Sequence, residues 1–384
     1  PYTWVNPYTP FQAGEVPPEM YFGRRALVLE LQRPEGSCIV YGGRQLGKSA
    51  LLREVARQFH DPLRKQFAVV IDVLGVGDAA HGREATVLWS LLRDRLKEVG
   101  AFETRRTSPE EIAKALREAF AQDAKLRVLV LLDEADQLLD ADARDRFAIV
   151  NELRRLMLET GRRFKVVLAG LHNVQRFQQI PNQPLAHFGR AIQVGPLEPR
   201  DAADLVRKPL ASLGFEFDSD SDVLRILSYT NYHPGLVQLF CHDLLIHLLS
   251  STTVAPPVRV SRQSVDHVYQ RAEVRKGIRD RFDWTLALDP RYQAIAWAII
   301  VEQAENPQQP ETFTVRKLQT LAQSWWPAGF SATREDEFRG LLDEMCGLGV
   351  LAGGIEQGFR LRSPNVVRLM GDVESRLIEL GHRP

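Results

Sequence analysis

From about Leu27 to Val194, short β-branched or leucine-rich runs alternate with stretches whose apolar positions recur at helical spacing. A period near 3.6 marks an amphipathic helix, and an unbroken apolar run marks a strand covered on both faces. The alternation therefore predicts parallel strands joined by crossover helices. The strands fall at Cys38 to Tyr41, Phe67 to Leu74, Arg127 to Leu132, Phe164 to Ala169 and Ala191 to Val194. Leu51, Val55 and Phe59, and Leu88, Leu91, Leu92 and Leu96, supply buried faces of the intervening helices.

Past Pro199 the strand signals stop, and up to about Ser250 the chain reads as three helices, broken near Gly214 and at His233-Pro234-Gly235. Pro256-Pro257 marks a boundary. Beyond Val260 come two helices, a turn at Trp325-Trp326-Pro327, the amphipathic stretch Glu335 to Met345, and two short apolar runs with Gly353-Gly354 and Gly358 around them. Helices ending in a hairpin predict a winged helix. The proline-rich start, residues 1–24, reads as an extended arm; 25–196 as the α/β domain, 197–252 as a helical subdomain and 257–384 as the winged helix.

At 384 residues, 44% hydrophobic and 26% charged, the composition is that of a folded chain with two or three cores, which excludes intrinsic disorder. Lys and Arg number 49, as do Asp and Glu, so net charge supplies no argument for nucleic acid or an anionic membrane. The longest apolar runs, such as Ala294 to Val301, fall well short of the roughly 20 residues of a spanning helix. Cys38, Cys241 and Cys346 lie far apart among apolar neighbours, which reads as buried free thiols in a reducing, cytoplasmic setting.

Chemistry concentrates at two strand ends. Gly42-Gly43-Arg44-Gln45-Leu46-Gly47-Lys48-Ser49 follows an apolar strand and opens a helix beginning with Ala50 and Leu51, the context a phosphate-cradling loop requires. Its glycines let backbone N–H groups curl around a phosphate, and the helix N-terminus adds its positive dipole end. Lys48 is the residue to neutralise the β- and γ-phosphates of a nucleoside triphosphate, and Ser49 the hydroxyl to ligate Mg²⁺. The strand Arg127 to Leu132 ends in Asp133-Glu134, placing Asp133 to hold the metal and Glu134 to polarise an attacking water. Asn173, with His172 as runner-up, follows the third strand and is the candidate contact to the γ-phosphate or water. Arg190, ahead of the last strand, is the candidate arginine finger toward a neighbouring subunit. Asp133-Glu134-Ala135-Asp136 and Ser331-Ala332-Thr333 also spell two helicase motifs, which we read as coincidence because they stand about 195 residues apart with no second helicase lobe.

With these residues the chain resembles the bacterial and archaeal STAND ATPases and their relatives, the origin-recognition-type AAA+ ATPases. The resemblance rests on Asn6-Pro7-Tyr8, Tyr21-Phe22-Gly23-Arg24-Arg25, the loop from Gly42 to Ser49, Leu131 to Glu134, Val167 to His172, and Asn231-Tyr232-His233-Pro234-Gly235-Leu236. It implies a P-loop NTPase parallel sheet with a helical lid and a C-terminal winged helix, binding ATP or ADP with Mg²⁺. It further implies that Phe22, Gly23 and Arg24 form the base pocket, and that His233 and Pro234 give the lid contact. Asn231 stands where many relatives place glycine, and no lid arginine is evident, which implies slow or assembly-dependent hydrolysis.

The leading reading is an ATP-driven switch in which nucleotide state controls domain arrangement and homo-oligomerisation, acting on a protein partner or effector domain in signalling or defence. The rival is a DNA-binding AAA+ ATPase gripping duplex with its winged helix. A third is a nucleotide-binding scaffold without turnover. From residue 261 onward 16 Lys and Arg face 17 Asp and Glu, and Glu335, Asp336, Glu337, Asp343 and Glu344 crowd the recognition helix. Phosphates would repel such a helix, which favours protein contact over DNA contact.

Overall fold

A computed structural model describes residues 5–10, 16–76, 82–171, 184–251, 257–306 and 312–363, with Leu369 and Ile378. The chain divides into two compact units, one of residues 24–42 and 47–194, the other of 1–23, 43–46 and 195–384.

The first unit is built on a five-stranded sheet of β1 (Ile39–Tyr41), β2 (Gln66–Asp72), β3 (Arg127–Asp133), β4 (Phe164–Gly170) and β5 (Ile192–Gln193). The order is β2-β3-β4-β1-β5, and every pairing is parallel. The five apolar runs of the sequence become these strands, with ends shifted by one or two residues. All seven residues of β4 are buried, which suits a sheet covered by helices on both faces. The helices are α1 (Arg25–Gln32), α2 (Lys48–Phe59), α3 (Glu84–Glu98), α4 (Pro109–Gln122), α5 (Asp136–Arg144) and α6 (Ala148–Glu159). β4 lies between β1 and β3, so the loop after β1 and the acidic end of β3 stand one strand apart.

Two buried charges secure helix ends in this unit. Lys165, inside β4, donates from Nζ to the carbonyls of Leu31 at 2.9 Å and Arg33 at 2.6 Å at the C-terminal end of α1, where Arg33 also accepts the Gly36 N–H at 3.0 Å. Burial lowers its pKa to about 8. Asp142 accepts from the N–H groups of Ile149 and Val150, both at 2.9 Å, in the first turn of α6.

The second unit begins with α7 (Pro199–Ser212), α8 (Asp220–Thr230) and α9 (Pro234–Ser251), the three helices expected after Pro199. It also holds a strand pair that the sequence reading lacks: β6 (Phe215–Phe217) runs parallel to β7 (Val258–Val260). Three residues per strand give no period to detect, and the pairing partner lies some 40 residues away. The helices α10 (Arg262–Gln270) and α11 (Ala272–Leu286) then pack back against α9, past the Pro256-Pro257 boundary. Next come α12 (Pro290–Glu305), α13 (Val315–Trp325), a single turn at Pro327–Phe330, α14 (Glu335–Gly347), and the antiparallel hairpin of β8 (Leu351–Gly354) and β9 (Gly358–Leu361). Phe313 bridges to Phe359, and the fully buried Phe313, Phe330, Phe338 and Phe359 fill this module. Four helices, α10 to α13, precede the turn where the sequence reading has two, because the breaks near Arg271 and Asp289 are single-residue or short; the amphipathic helix and the hairpin follow the turn in the order expected.

The N-terminal arm docks on the same unit. Tyr8 is buried and donates its hydroxyl to the Val206 carbonyl at 3.0 Å, while the Thr9 N–H donates to Gln238 of α9 at 3.3 Å. All three cysteines are free, and burial pushes the thiols of Cys241 and Cys346 up to about 12. Among the described residues no helix is long and apolar enough to cross a membrane.

Candidate functional site

The loop between β1 and α2 is shaped by positions where a side chain would collide. A Cβ on Gly42 would lie 2.2 Å from the Val194 carbonyl oxygen, so glycine is what lets the end of β5 close against the loop. Gly47 has φ +92° and precedes α2, and a Cβ there would meet Arg24 Nη1 at 2.6 Å. That guanidinium donates to the Gly47 carbonyl at 3.2 Å. The first turn of α2 turns the amides of Ser49 and Ala50 toward the loop, at the end of the helix where backbone donors are available to a ligand. Lys48 is 5% exposed and spans the loop, donating from Nζ to the Gly42 carbonyl at 2.9 Å.

The acidic end of β3 is equally constrained. Asp133 is buried, and its Oδ1 accepts the Glu134 N–H at 3.0 Å. Glu134 has φ +54°, a left-handed conformation that non-glycine residues enter at a cost of about 1 kcal/mol or more. It forms the elbow between strand and helix. Beyond it the Ala135 N–H donates to the Ala169 carbonyl at 2.8 Å, and Asp136 accepts the Leu171 N–H at 2.6 Å, tying the elbow to the end of β4. Burial raises the Glu134 pKa; Lys48 opposes that rise, and Asp133, Asp136 and Asp72 add to it. Loop and acidic edge thus converge, with one buried ammonium and four carboxylates within electrostatic reach.

These residues fit a magnesium-bound nucleotide. A glycine-lined bend offers backbone donors, a buried lysine offers charge, and Asp133 Oδ2 takes no hydrogen bond from any described residue. No group of three metal-ligating side chains occurs among the described residues.

Other sequence candidates are distributed. Ser49 and Ala50 stand in the first turn of α2, and Arg44, Gln45 and Leu46 form the crest, where Gln45 has φ +58° and Leu46 is buried. His233 touches that crest. Its Nδ1 accepts the Leu236 N–H at 3.4 Å, which leaves the ring proton on Nε2 to donate to the Arg44 carbonyl at 3.2 Å. Pro234 starts α9, and Gly235 follows against Gln45, where a Cβ would lie 3.3 Å from Gln45 Cβ. Phe22 and Gly23 pack on α7: Lys208 Nζ sits 5.8 Å from the Phe22 ring centroid, and a Cβ on Gly23 would lie 2.4 Å from Asp201 Oδ2. Arg190 is exposed, its carbonyl held by Ser37 Oγ at 2.6 Å. His172 and Asn173 lie outside the described residues. Ser331, Ala332 and Thr333 sit between the Pro327–Phe330 turn and α14.

Asp72 and Asp136 escaped the sequence reading. Asp72 stands in register with Asp133 at the end of the neighbouring strand. The signal was present, since Val69-Val70-Ile71-Asp72 repeats the apolar-run-then-acid pattern of Leu131-Leu132-Asp133, but sheet order was needed to pair them.

Comparison with known proteins agrees with this geometry. The family model described as AAA domain matches residues 31–177. No curated protein matches the chain in sequence. Among solved structures, the ORC2 protein of Aeropyrum pernix in its ADPNP-ADP complexes superposes with a TM-score of 0.57 at 14% identity, covering 96% of this chain and 97% of that one. The ADP form of the same protein gives 0.49 at 15% identity with 97% and 98% covered, and the Aeropyrum pernix ORC1 protein in complex with DNA gives 0.40 at 14% with 94% and 91% covered. The family match and the ORC2 complex establish the fold: the residues around the sheet adopt the P-loop NTPase fold of AAA+ type.

Proposed function

We propose that this chain binds and hydrolyses ATP with Mg²⁺ and converts nucleotide state into a change of domain arrangement. The observation that carries the reading is the convergence of buried Lys48, behind a glycine loop, with Asp133 and Glu134 on one edge of the sheet. ATP supplies the transferable phosphoryl group, and Mg²⁺ neutralises its developing charge. Lys48 and the amides of residues 47–50 hold the phosphates, Ser49 and Asp133 face the metal, and Glu134 orients and deprotonates water. Arg24 braces the loop at Gly47, and Phe22 and Gly23 serve the base. Arg190, exposed and with its carbonyl held by Ser37, acts toward a neighbouring subunit in a homo-oligomer.

For the output, the reading best supported is a DNA-acting AAA+ ATPase. The similarity to ORC2 runs through the C-terminal module, whose helices and hairpin have the order of a winged helix. One observation favours the STAND-like alternative, a switch acting on protein partners. On α14, Arg334 pairs with Asp336 and Glu337, and Arg339 with Asp343, so its two arginines already have carboxylate partners. Duplex binding by the full chain, measured at two salt concentrations, separates them: log K falling linearly with log salt is expected of a DNA-acting ATPase, and no binding at low salt leaves the protein switch. Nucleotide titration of the parent and Lys48→Ala tests the shared premise. Absence of ATP binding in the parent would refute both.

A further inference from the structure

The turn that joins α8 to α9 holds two different structures at once. Asn231 and Tyr232 have φ of +54° and +58°, two successive left-handed residues without glycine. Hydrogen bonds fix them there: Tyr232 N–H to the Leu227 carbonyl at 3.2 Å, His233 N–H to Thr230 at 3.0 Å, and Leu197 N–H to the Tyr232 carbonyl at 2.9 Å. On one side of this stiff turn, His233 and Gly235 touch the crest of the phosphate loop at Arg44 and Gln45. On the other, the Asn231 carboxamide donates from Nδ2 to the Gly349 carbonyl at 2.7 Å, just past the end of α14. The adjacent Leu348 rests against the crest at Gly43, where a Cβ would lie 3.4 Å from Leu348 Cδ2.

A left-handed residue explains why glycine is the ordinary occupant of such a position and why asparagine is the tolerated substitute. What glycine lacks is the side chain that reaches Gly349. Asn231 is buried, and its Oδ1 has no partner, a desolvation cost with no local return. That cost is accepted for the sake of the bond made by Nδ2.

We propose that Asn231 is a positioning residue that transmits the state of the phosphate loop to the C-terminal helix–hairpin module. A γ-phosphate that shifts the crest moves His233; the rigid turn carries the shift to Asn231, and the Asn231–Gly349 bond carries it to the junction of α14 and β8. The inference rests on the reading that a nucleotide occupies the loop.

Asn231→Gly is the informative variant, because glycine keeps the left-handed backbone and removes only the side chain. Amide exchange across residues 345–351 of the full chain is measured with ADP and with a non-hydrolysable ATP analogue, both with Mg²⁺. The parent is expected to exchange differently in the two states. The variant is expected to bind both nucleotides as the parent does, to exchange about fivefold faster there, as one lost hydrogen bond gives, and to show no difference between the states. A nucleotide response kept in full by the variant, or absent from a parent that binds both nucleotides, would overturn the proposal while leaving the ATP site intact. A parent that binds neither would overturn the ATP reading and this one with it.

Discussion

The two edges of the phosphate loop are made in different ways. Toward the sheet, loop and acidic edge are held by contiguous strands, and each chemical residue follows its own apolar run: Lys48 after β1, Asp133 and Glu134 after β3. The loop crest meets His233, Gly235 and Leu348, residues 189 to 305 positions away in sequence, through a single hydrogen bond and glycine gaps. The first edge is built for chemistry, since Lys48 and Asp133 are buried and the Glu134 carboxyl beside them feels both charges. The second is built for reporting, since few and separable contacts can change with ligand at small cost.

The contrast is broken most severely at the chemical edge. Glu134→Gln should lower hydrolysis by roughly a hundred- to ten-thousand-fold while leaving nucleotide affinity intact, in a steady-state phosphate-release assay beside a binding titration. Because burial raises the Glu134 pKa, the acid limb of the parent's rate profile should lie above the ordinary carboxylate range: the base is protonated, and activity lost, at a higher pH than for an exposed glutamate. Equal rates in parent and variant would remove Glu134 from the mechanism.

Lys48→Ala comes next. Removing a buried ammonium from a charged ligand should weaken ATP binding by about a hundredfold or more, read by calorimetry or a fluorescent nucleotide.

Lys165→Ala tests the frame rather than the chemistry. It removes a donor from the Leu31 and Arg33 carbonyls, of which Arg33 keeps the Gly36 N–H at 3.0 Å, and should cost about 1–3 kcal/mol in denaturant unfolding. Native Lys165 releases its proton near pH 8, the unfolded chain near 10.5. The unfolded state therefore holds more protons between these values, so the parent's stability relative to the variant should rise across that window.

The smallest effect belongs to the reporting side, where the arm docks. Tyr8→Phe removes the hydroxyl's bonds to the Val206 and Leu205 carbonyls and its contact with Cys241, and should cost about 1–2 kcal/mol, with nucleotide affinity unchanged. A loss of nucleotide binding would show that the arm belongs to the chemical edge after all.

How far each edge could be read from sequence follows the same division. The five strands of the sheet announced themselves because a strand buried on both faces must be apolar throughout. The phosphate loop announced itself because only glycine survives at Gly42 and Gly47. The short β6 and β7 went unread because three residues carry no period, and Asp72 because its neighbour across the sheet is 61 positions away. His233 was reached only through resemblance. Nothing in its flanking residues says that its ring caps α9 with one nitrogen and holds the loop crest with the other.

The amino-acid sequence alone determined the elements, the parallel sheet and the residues with phosphate and metal chemistry, since these depend on periodicity, on backbone freedom and on side-chain type at short range. Only the tertiary structure decided that β4 lies between the loop strand and the acidic strand, that Lys48 and Glu134 nonetheless sense each other, and that Asn231 reaches Gly349. Strand order and side-chain pairing across more than a hundred residues are set by how buried surfaces fit together, and that fit exists only once the chain has packed.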